Sequence, residues 1–323
     1  VQKLRKLTGA GLADCKKALD ETGGDIEKAI EIIRAKGQAI AAKRSDRETA
    51  NGCVLVKAEN GFGAIIALKC ETDFVANGKD YIQLTQDILD AAVAAKAKSL
   101  DEVKTLTLAD GTKVEDAVIA RSGITGEKME LDGYNFIEGE NIYTYNHMNK
   151  NLLCTMVQTN KPAAEEGHAV TMQVAAMKPI ALDEASVPQS VKDEELKVAI
   201  EKTKEEQVEK AVQAALKKAG FNLYIAENEE HIAEGIAKGE ITEAQADEIR
   251  RIKKEVAEEK AAALPVEMVN NIAKGRMAKF FKESCLLEQE FIQDSKLSVA
   301  QYLKAADKDL TVVAFTRFTL RAE

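Results

Sequence analysis

The sequence contains no tryptophan, and aromatic residues make up only 5% of its 323 residues. Proteins that hold single-stranded nucleic acid stack its bases on aromatic side chains, so the composition disfavours that class. Excess positive charge is also absent, because 45 Lys and Arg residues face 54 Asp and Glu residues, a formal net charge of -9. Since no positive field attracts a polyanion, we expect no direct contact with nucleic acid.

Cysteine pairs and long apolar runs are missing as well. No two cysteines form a C-x-x-C pair and their number is odd, which argues against a disulfide framework or a zinc site. We expect reduced thiols in a cytoplasmic protein at the five positions Cys15, Cys53, Cys70, Cys154 and Cys285. No apolar run approaches the roughly 18–20 residues of a membrane span, so we expect no membrane insertion and no export. The sequence opens at Val1 rather than Met, so further residues can precede it.

The sequence also lacks the usual nucleotide and metal motifs. There is no G-x-x-x-x-G-K-[ST] loop, and neither Gly9-Ala10-Gly11 nor Gly61-Phe62-Gly63 extends to G-x-G-x-x-G. His147, His168 and His231 are far apart and have no metal-ligand spacing. We therefore predict no bound nucleotide, no cofactor and no metal in this chain.

The first 37 residues predict a three-helix module. Apolar residues at helical spacing on both sides of the glycine corner Thr8–Gly11 predict two short helices. Asp25 is the predicted N-cap of the third helix, and Gly37 is its predicted stop. Residues 38–51 are polar and basic without an apolar period, so they predict a linker.

The period of apolar residues then changes to that of strands. Residues 52–140 predict a first core lobe, with two strands around an Asn60-Gly61 turn and a following helix. The same hairpin-then-helix plan returns in a second lobe, for which we assign residues 141–190 and 264–323. Two further strand-like segments, Lys128–Ile137 and Thr311–Leu320, can each add a third strand to a hairpin. The predicted fold class is α+β, with two related lobes built on small antiparallel sheets.

Residues 191–263 are rich in Ala, Glu and Lys and predict an inserted helical hairpin that projects from the body. Its apolar residues fit a long helix and a returning one with coiled-coil character, at Leu196, Ile200, Val208, Val212, Leu216, Ile249, Ile252 and Val256. A plain solvated charged helix is the alternative. Such a hairpin permits a homodimer but does not require one.

The segment Cys70–Asn77 is the most unusual, because a buried-looking strand runs directly into a helix there. Thr72 or Asp73 can cap that helix, and from the pattern alone Phe74 is better interpreted as a core residue than as an exposed aromatic wedge for a partner. A nucleophilic site of Cys70, His147 and Asp73 can also be written down. It is disfavoured, since Cys70 alternates with apolar strand positions.

Several runs of residues resemble one known family. Residues Leu4–Leu19, LRKLTGAGLADCKKAL, resemble the opening signature of elongation factor Ts, and the likeness continues through Gly24–Ala29, Glu71–Ala76, Gly275–Phe280 and Leu286–Phe291. The resemblance spans nearly the whole chain. It implies a guanine-nucleotide exchange factor, not a bond-breaking enzyme, that binds elongation factor Tu with GDP.

The resemblance also implies which residues meet that partner. The family's Asp-Phe pair, which disturbs the magnesium site of elongation factor Tu, falls on Asp73 and Phe74, within the partner-binding set Thr72, Asp73, Phe74 and Val75. For Phe74 this reverses the interpretation drawn from the pattern. In the N-terminal module the implied contacts are Gly9, Gly11, Leu12, Asp14, Cys15 and Lys16.

A further implied contact is His147. Relatives usually carry Gly-Arg after it, whereas this chain has Asn149-Lys150. Two other functions remain as hypotheses: a helical adaptor that docks through the N-terminal module, and a thiol hydrolase using Cys70.

Overall fold

The computed structural model describes residues 1–321; the final two residues, which the sequence assigns to the second lobe, lie outside the described part. Within the first 182 residues the elements are α1 (Gln2–Thr8), α2 (Leu12–Glu21), α3 (Ile26–Lys43), β1 (Asn51–Glu59), β2 (Phe62–Cys70), α4 (Asp73–Ala76), α5 (Lys79–Ala95), α6 (Leu100–Lys104), α7 (Val114–Thr125), β3 (Glu130–Glu138), β4 (Ile142–Asn146), a 3₁₀ turn (His147–Asn149), β5 (Leu153–Thr159) and α8 (Ala164–Met177).

The remaining elements follow a short 3₁₀ turn at Glu184–Ser186. They are α9 (Gln189–Lys218), α10 (Leu223–Ala226), α11 (Glu229–Ala237), α12 (Glu243–Ala263), α13 (Val266–Ser284), β6 (Glu290–Phe291), β7 (Asp294–Ser298), α14 (Val299–Ala306) and β8 (Val312–Thr319). The α+β class is confirmed. Within residues 1–321, no helix is long and apolar enough to cross a membrane.

Contacts between residues divide the chain into two units. The first unit contains Val1–Leu182 and the chain from Leu286 onward, and the second, called here the inserted unit, is Asp183–Cys285. Each unit has its own apolar core.

Two antiparallel sheets form the centre of the first unit, and both of the predicted third strands are confirmed. The strand order is β1-β2-β3 in one sheet and β4-β5-β8 in the other. The hairpin turn of the first sheet has positive φ at Asn60 and Gly61, as a two-residue turn between right-twisted strands requires. Register along β1 and β2 runs from Asn51 opposite Cys70 to Glu59 opposite Phe62.

Strand β2 is buried on both faces. On one face Phe62, Ile66 and Leu68 pack against α5. On the other face Ile65 packs with Met156 of the second sheet. Because successive side chains of a strand point to opposite faces, this double burial explains why β2 reads as a nearly continuous apolar run. A sheet covered on both sides gives residues next to it a rigid base.

The three predicted N-terminal helices are confirmed, but the end of the third is not at Gly37. The side chain of Asp25 caps α3 by accepting from the Lys28 backbone N–H at 3.2 Å. The helix then runs through Gly37 to Lys43. A Cβ added at Gly37 would collide with the side chain of Ile119 on α7. Glycine is therefore present for the close approach of two helices, not as a stop.

The predicted linker, residues 38–51, is also shorter than expected. Only the residues between Lys43 and Asn51 lie outside helix and strand. This stretch is attached to α7 and its surroundings, because Arg44 donates to the Ser122 carbonyl at 2.9 Å. The ammonium of Lys128 donates to the Ser45 carbonyl at 2.7 Å. Arg44 and Arg47, two of the basic residues in the predicted linker, therefore attach it to neighbouring residues by hydrogen bonds.

The inserted unit contains the predicted helical pair, with different boundaries. Helix α9 packs against both α12 and α13, and α10 and α11 form the tip, where Ile232 and Ile249 are fully buried. The prediction assigned residues 264–285 to the second lobe and began the insertion at 191. It is wrong at both boundaries, because α13 buries Val269, Ala273 and Phe281 within the inserted unit, whose first residue is Asp183.

Candidate functional site

The residues Thr72–Val75 form the first turn of α4, directly after β2. The hydroxyl of Thr72 caps the helix by accepting from the Val75 backbone N–H at 3.3 Å, as expected for a threonine at this position. Phe74 projects outward and is 86% exposed, the largest exposed fraction among the large hydrophobic side chains described. The interpretation of Phe74 as a core residue is wrong, because its aromatic ring is exposed to solvent.

The segment that carries Phe74 is nevertheless well fixed, because the carboxylate of Glu127 binds its backbone by hydrogen bonds. Glu127 accepts hydrogen bonds from the backbone N–H of Glu71 at 3.1 Å and of Thr72 at 2.9 Å. It also accepts from the Thr72 hydroxyl at 2.6 Å. Hydrogen bonds to an ionised acceptor are about twice as strong as neutral ones, so Glu127 fixes the start of α4.

Further contacts attach the same segment to the first sheet. The side-chain amide of Asn51 donates to the Glu71 carbonyl at 2.9 Å. The Cys70 thiol donates to the Thr72 carbonyl at 3.2 Å. Ala76 is buried and Val75 is half-buried against the first core. Of the four residues in the predicted site, Thr72 and Val75 hold the segment in place, whereas Asp73 and Phe74 are exposed.

Helix α7 joins this segment to the N-terminal module. The guanidinium of Arg34 on α3 forms an ion pair with Asp116 on α7 at 2.8 Å. The opposite end of α7 stops at Gly126, whose φ is 77°, and Glu127 follows immediately. Helix α7 therefore connects the attachment of the module to the carboxylate of Glu127, which follows its C-terminal end.

The six residues predicted in the N-terminal module have different positions. Leu12 is 55% exposed and Lys16 is exposed, so both are accessible to a partner. Asp14 forms an ion pair with Lys36 at 2.6 Å. Cys15 is fully buried, so it supports the surface from within and has no surface to offer.

The two glycines of this set shape the corner between α1 and α2. Gly9 has a φ of 70° and ends α1 by donating to the Arg5 carbonyl at 2.7 Å. Gly11 is the exposed residue at which α2 begins. A positive φ is easy for glycine and costly for most other residues, so the role visible at Gly9 is conformational.

Comparison of this sequence with known proteins points to one family. The family model described as Elongation factor TS matches residues 71–250 and 236–322. A curated protein named Elongation factor Ts from Phocaeicola vulgatus is 60% identical over 323 residues, covering 100% of this chain and 98% of the relative. The chain belongs to the elongation factor Ts family. It is thus a member of a family of translation elongation factors.

More distant relatives carry the same name. The Elongation factor Ts of Parabacteroides distasonis is 59% identical over 323 residues, covering 100% of this chain and 98% of the relative. That of Porphyromonas gingivalis is 41% identical over 324 residues, covering 100% and 97%. Because the alignments run end to end, the elongation factor Ts assignment includes the inserted unit as well as the two sheets.

The thiol-hydrolase hypothesis does not fit this member of the elongation factor Ts family. Cys70 is fully buried, and burial raises the pKa of its thiol above the ordinary value. A thiolate is the reactive form, so the environment opposes nucleophilic chemistry. Its sulfur contacts the Thr72 carbonyl, while His147 contacts Tyr145 on the other sheet. The proposed nucleophile and base are each engaged elsewhere.

His147 stands at the turn after β4 in a small aromatic cluster. Its Nδ1 lies 3.0 Å from the Tyr145 hydroxyl, and the two rings meet edge to face with centroids 5.6 Å apart. The next residue, Met148, is 63% exposed and has a φ of 55°. This places an exposed side chain beside His147 on a turn held in an unusual backbone conformation.

Two elements of the site could not be found from sequence patterns. Glu127 lies 55 residues from Thr72, and no local sequence pattern indicates that the two residues are in contact. The only available signal is Gly126, a typical residue just after a helix end. Arg121 of α7 lies beside the same segment, and no local sequence pattern indicates this. Among residues 1–321, no three His, Cys, Asp or Glu side chains are grouped so as to hold a metal ion.

Proposed function

We propose that the protein is a guanine-nucleotide exchange factor, which binds elongation factor Tu with GDP, disturbs its magnesium site and promotes GDP release. The observation that carries this proposal is Phe74, an aromatic side chain 86% exposed on a segment fixed by Glu127. Membership of the elongation factor Ts family supports the choice of partner.

The energetics of Phe74 support insertion into a partner. Complete burial of a phenylalanine side chain is worth about 1.5–3 kcal/mol, and little of that is used within the free protein. Since the backbone around Thr72 is already fixed by hydrogen bonds, insertion costs little ordering of the chain. The free energy gained by burying the ring is then available to displace groups in the partner.

The magnesium site of a GTPase is sensitive to such displacement. Mg²⁺ requires nearly ideal octahedral geometry, and it bridges the phosphate oxygens of the nucleotide to the protein. A wedge that shifts a neighbouring helix or loop therefore weakens both the metal and the phosphate contacts. We assign Phe74 as the wedge and Asp73 as its polar companion, with Thr72 and Val75 holding them in place.

Exchange follows from the coupling of two binding events, without any bond being made or broken. If this protein weakens GDP binding by some factor, nucleotide must weaken the binding of this protein by the same factor. The nucleotide-free complex of this protein with elongation factor Tu is then an intermediate, which dissociates when nucleotide binds again. The proposed function is therefore catalytic exchange in the cytoplasm, with no bound cofactor and no direct contact with nucleic acid.

The N-terminal module and the turn at His147 are proposed as additional contacts. Leu12 and Lys16 provide an exposed apolar and an exposed charged group. Met148 provides an exposed side chain beside His147. Because Arg34 attaches the module to α7, binding at the module and at Phe74 would be rigidly coupled.

The experiment is the release of a fluorescent GDP analogue from elongation factor Tu, measured with and without this protein. We expect strong acceleration by the wild-type chain. If a correctly folded chain binds elongation factor Tu without accelerating release, the adaptor hypothesis replaces exchange. If it neither binds nor accelerates release, the choice of partner is wrong.

A further inference from the structure

A groove lies beside the exposed ring of Phe74. It has a volume of about 550 Å³ and runs between α4, the start of α5 and the C-terminal part of α7. Phe74 and Val75 line one side, and Arg121 and Thr125 of α7 line the other. Any partner that covers Phe74 also covers this groove.

The guanidinium of Arg121 is the notable group in the groove. Its side chain is 24% exposed, and its Nε atom is shielded from solvent and has no hydrogen-bond partner within the described chain. The carboxylate of Asp80 is an ion-pair partner of Arg121, but its Oδ2 lies 3.7 Å from Nη1, beyond hydrogen-bond distance. Asp80 is itself 78% exposed, so this ion pair is weak.

Neighbouring arginines are in a different situation. Arg34 donates to Asp116 at 2.8 Å, and Arg44 donates to both the carbonyl and the hydroxyl of Ser122 at 2.9 Å. Arg47 donates to the Gly126 carbonyl at 3.1 Å. A shielded polar group without a partner is costly. The neighbouring arginines thus each have a hydrogen-bond acceptor, whereas Nε of Arg121 has none among the described residues.

We propose that Arg121 binds a carboxylate side chain of elongation factor Tu when Phe74 inserts. The proposal rests on the exchange function above and adds one residue to its interface. A guanidinium presents donors in a planar fork that matches a carboxylate. Nε is shielded from solvent, so the donors left for a partner's carboxylate are those of Nη1 and Nη2. Phe74 supplies the apolar contact, and Arg121 supplies the adjacent charged contact.

The neighbouring acidic residues limit the alternatives. Asp73 and Asp80 lie close to Arg121 and would repel a phosphate or any other dense negative charge. A single carboxylate that can approach the free face of the guanidinium fits better.

The test uses the full chain with three substitutions. Arg121→Met keeps the apolar stem and removes every donor, and Arg121→Lys keeps the charge but loses the fork. Asp80→Asn removes the ion pair that Arg121 makes among residues 1–321 and is the matched control. For each variant, the affinity for nucleotide-free elongation factor Tu, the acceleration of GDP release and the thermal midpoint are measured.

We expect Arg121→Met to weaken binding at least about tenfold, because truncating one member of a buried charge pair is costly. Arg121→Lys should fall between it and wild type. The thermal midpoint of the free protein should not drop, since no internal hydrogen bond is lost. Asp80→Asn should bind as well as wild type or more tightly.

Three outcomes would overturn the proposal. Arg121→Met could bind as wild type does, while the wild type accelerates release; the exchange function would then stand and this inference would fall. Asp80→Asn could reproduce the loss, which would make Arg121 an internal partner of Asp80. Finally, a drop in thermal midpoint that matches the loss of binding in both Arg121 variants would indicate a structural role. A wild-type chain that does not bind elongation factor Tu would refute the proposed function itself.

Discussion

We expect truncation of Phe74 to separate function from stability. The side chain is 86% exposed, so roughly one seventh of its surface is buried in the free protein. With about 1.5–3 kcal/mol for a fully buried phenylalanine, Phe74→Ala should cost only about 0.2–0.4 kcal/mol of unfolding free energy. No cavity forms, because the ring fills none.

A matched core substitution gives the contrast. Phe62 is fully buried and stacks on Phe136 with ring centroids 5.6 Å apart. Phe62→Ala should cost about 3–5 kcal/mol. Tyr224, on the tip of the inserted unit, is 63% exposed, so Tyr224→Ala tests whether losing any exposed aromatic impairs exchange.

The assay is the release of a fluorescent GDP analogue from elongation factor Tu, combined with urea unfolding of each variant. Phe74→Ala should lose most of the acceleration and keep its unfolding midpoint, and Tyr224→Ala should keep both. Two results would refute the reasoning. Wild-type exchange by Phe74→Ala would remove the wedge, and a loss of several kcal/mol in stability would show that the ring is packed in solution.

Three other predictions concern support, chemistry and packing. Glu127→Ala should cost about 1–3 kcal/mol of unfolding free energy, which urea unfolding measures. It should also slow GDP release by more than this loss of stability explains. Burial raises the pKa of Cys53 from 9.0 to about 12, so its stabilising contribution is complete below pH 9.0 and declines as pH rises towards about 12. Cys53→Ala should therefore weaken the loss of stability measured between pH 9.0 and about pH 12. Gly37→Ala should lower the thermal midpoint, because the new methyl group meets Ile119. Gly275→Ala is its control, since a Cβ there meets nothing within 4 Å, and it should gain about 0.5–1 kcal/mol of helix stability.

The two lobes could be predicted from the sequence because their signals are local. An Asn60-Gly61 turn between apolar runs fixes a hairpin without knowledge of the remaining chain. The third strands, β3 and β8, also show strand composition of their own. Local agreement between turn residues and apolar period is the kind of information that a single sequence contains.

The predictions from sequence are wrong where the role of a residue depends on a contact with residues distant in sequence. Glycine is typical of a helix end, which is why Gly37 was predicted as the stop of the third helix. In the structure it allows α3 to approach Ile119, a residue distant in sequence. The predicted insertion ends at residue 263, which is the last residue of α12. The apolar face of α13 nevertheless packs on α9, inside the same unit. No local pattern indicates which partner such a face will find.

For the candidate site, the sequence pattern and the resemblance gave opposite interpretations of Phe74. An apolar side chain between polar neighbours in a capped helix usually turns inward, and the resemblance to elongation factor Ts predicted the reverse. The exposed position could not be derived from the pattern, because it depends on Glu127 holding the first turn. That carboxylate lies beyond three intervening helices, α5, α6 and α7.

The support beneath Phe74 explains how a single ring can be effective. Ordering one residue of flexible backbone costs about 1–2 kcal/mol, so ordering the four residues from Thr72 to Val75 on binding would cost more than the roughly 1.5–3 kcal/mol that the ring can supply. Glu127, Asn51 and the thiol of Cys70 hold this turn by hydrogen bonds before the partner arrives. The free energy of burying Phe74 can then act on the partner. Substitutions beneath the turn should for this reason impair exchange almost as strongly as truncation of the ring itself.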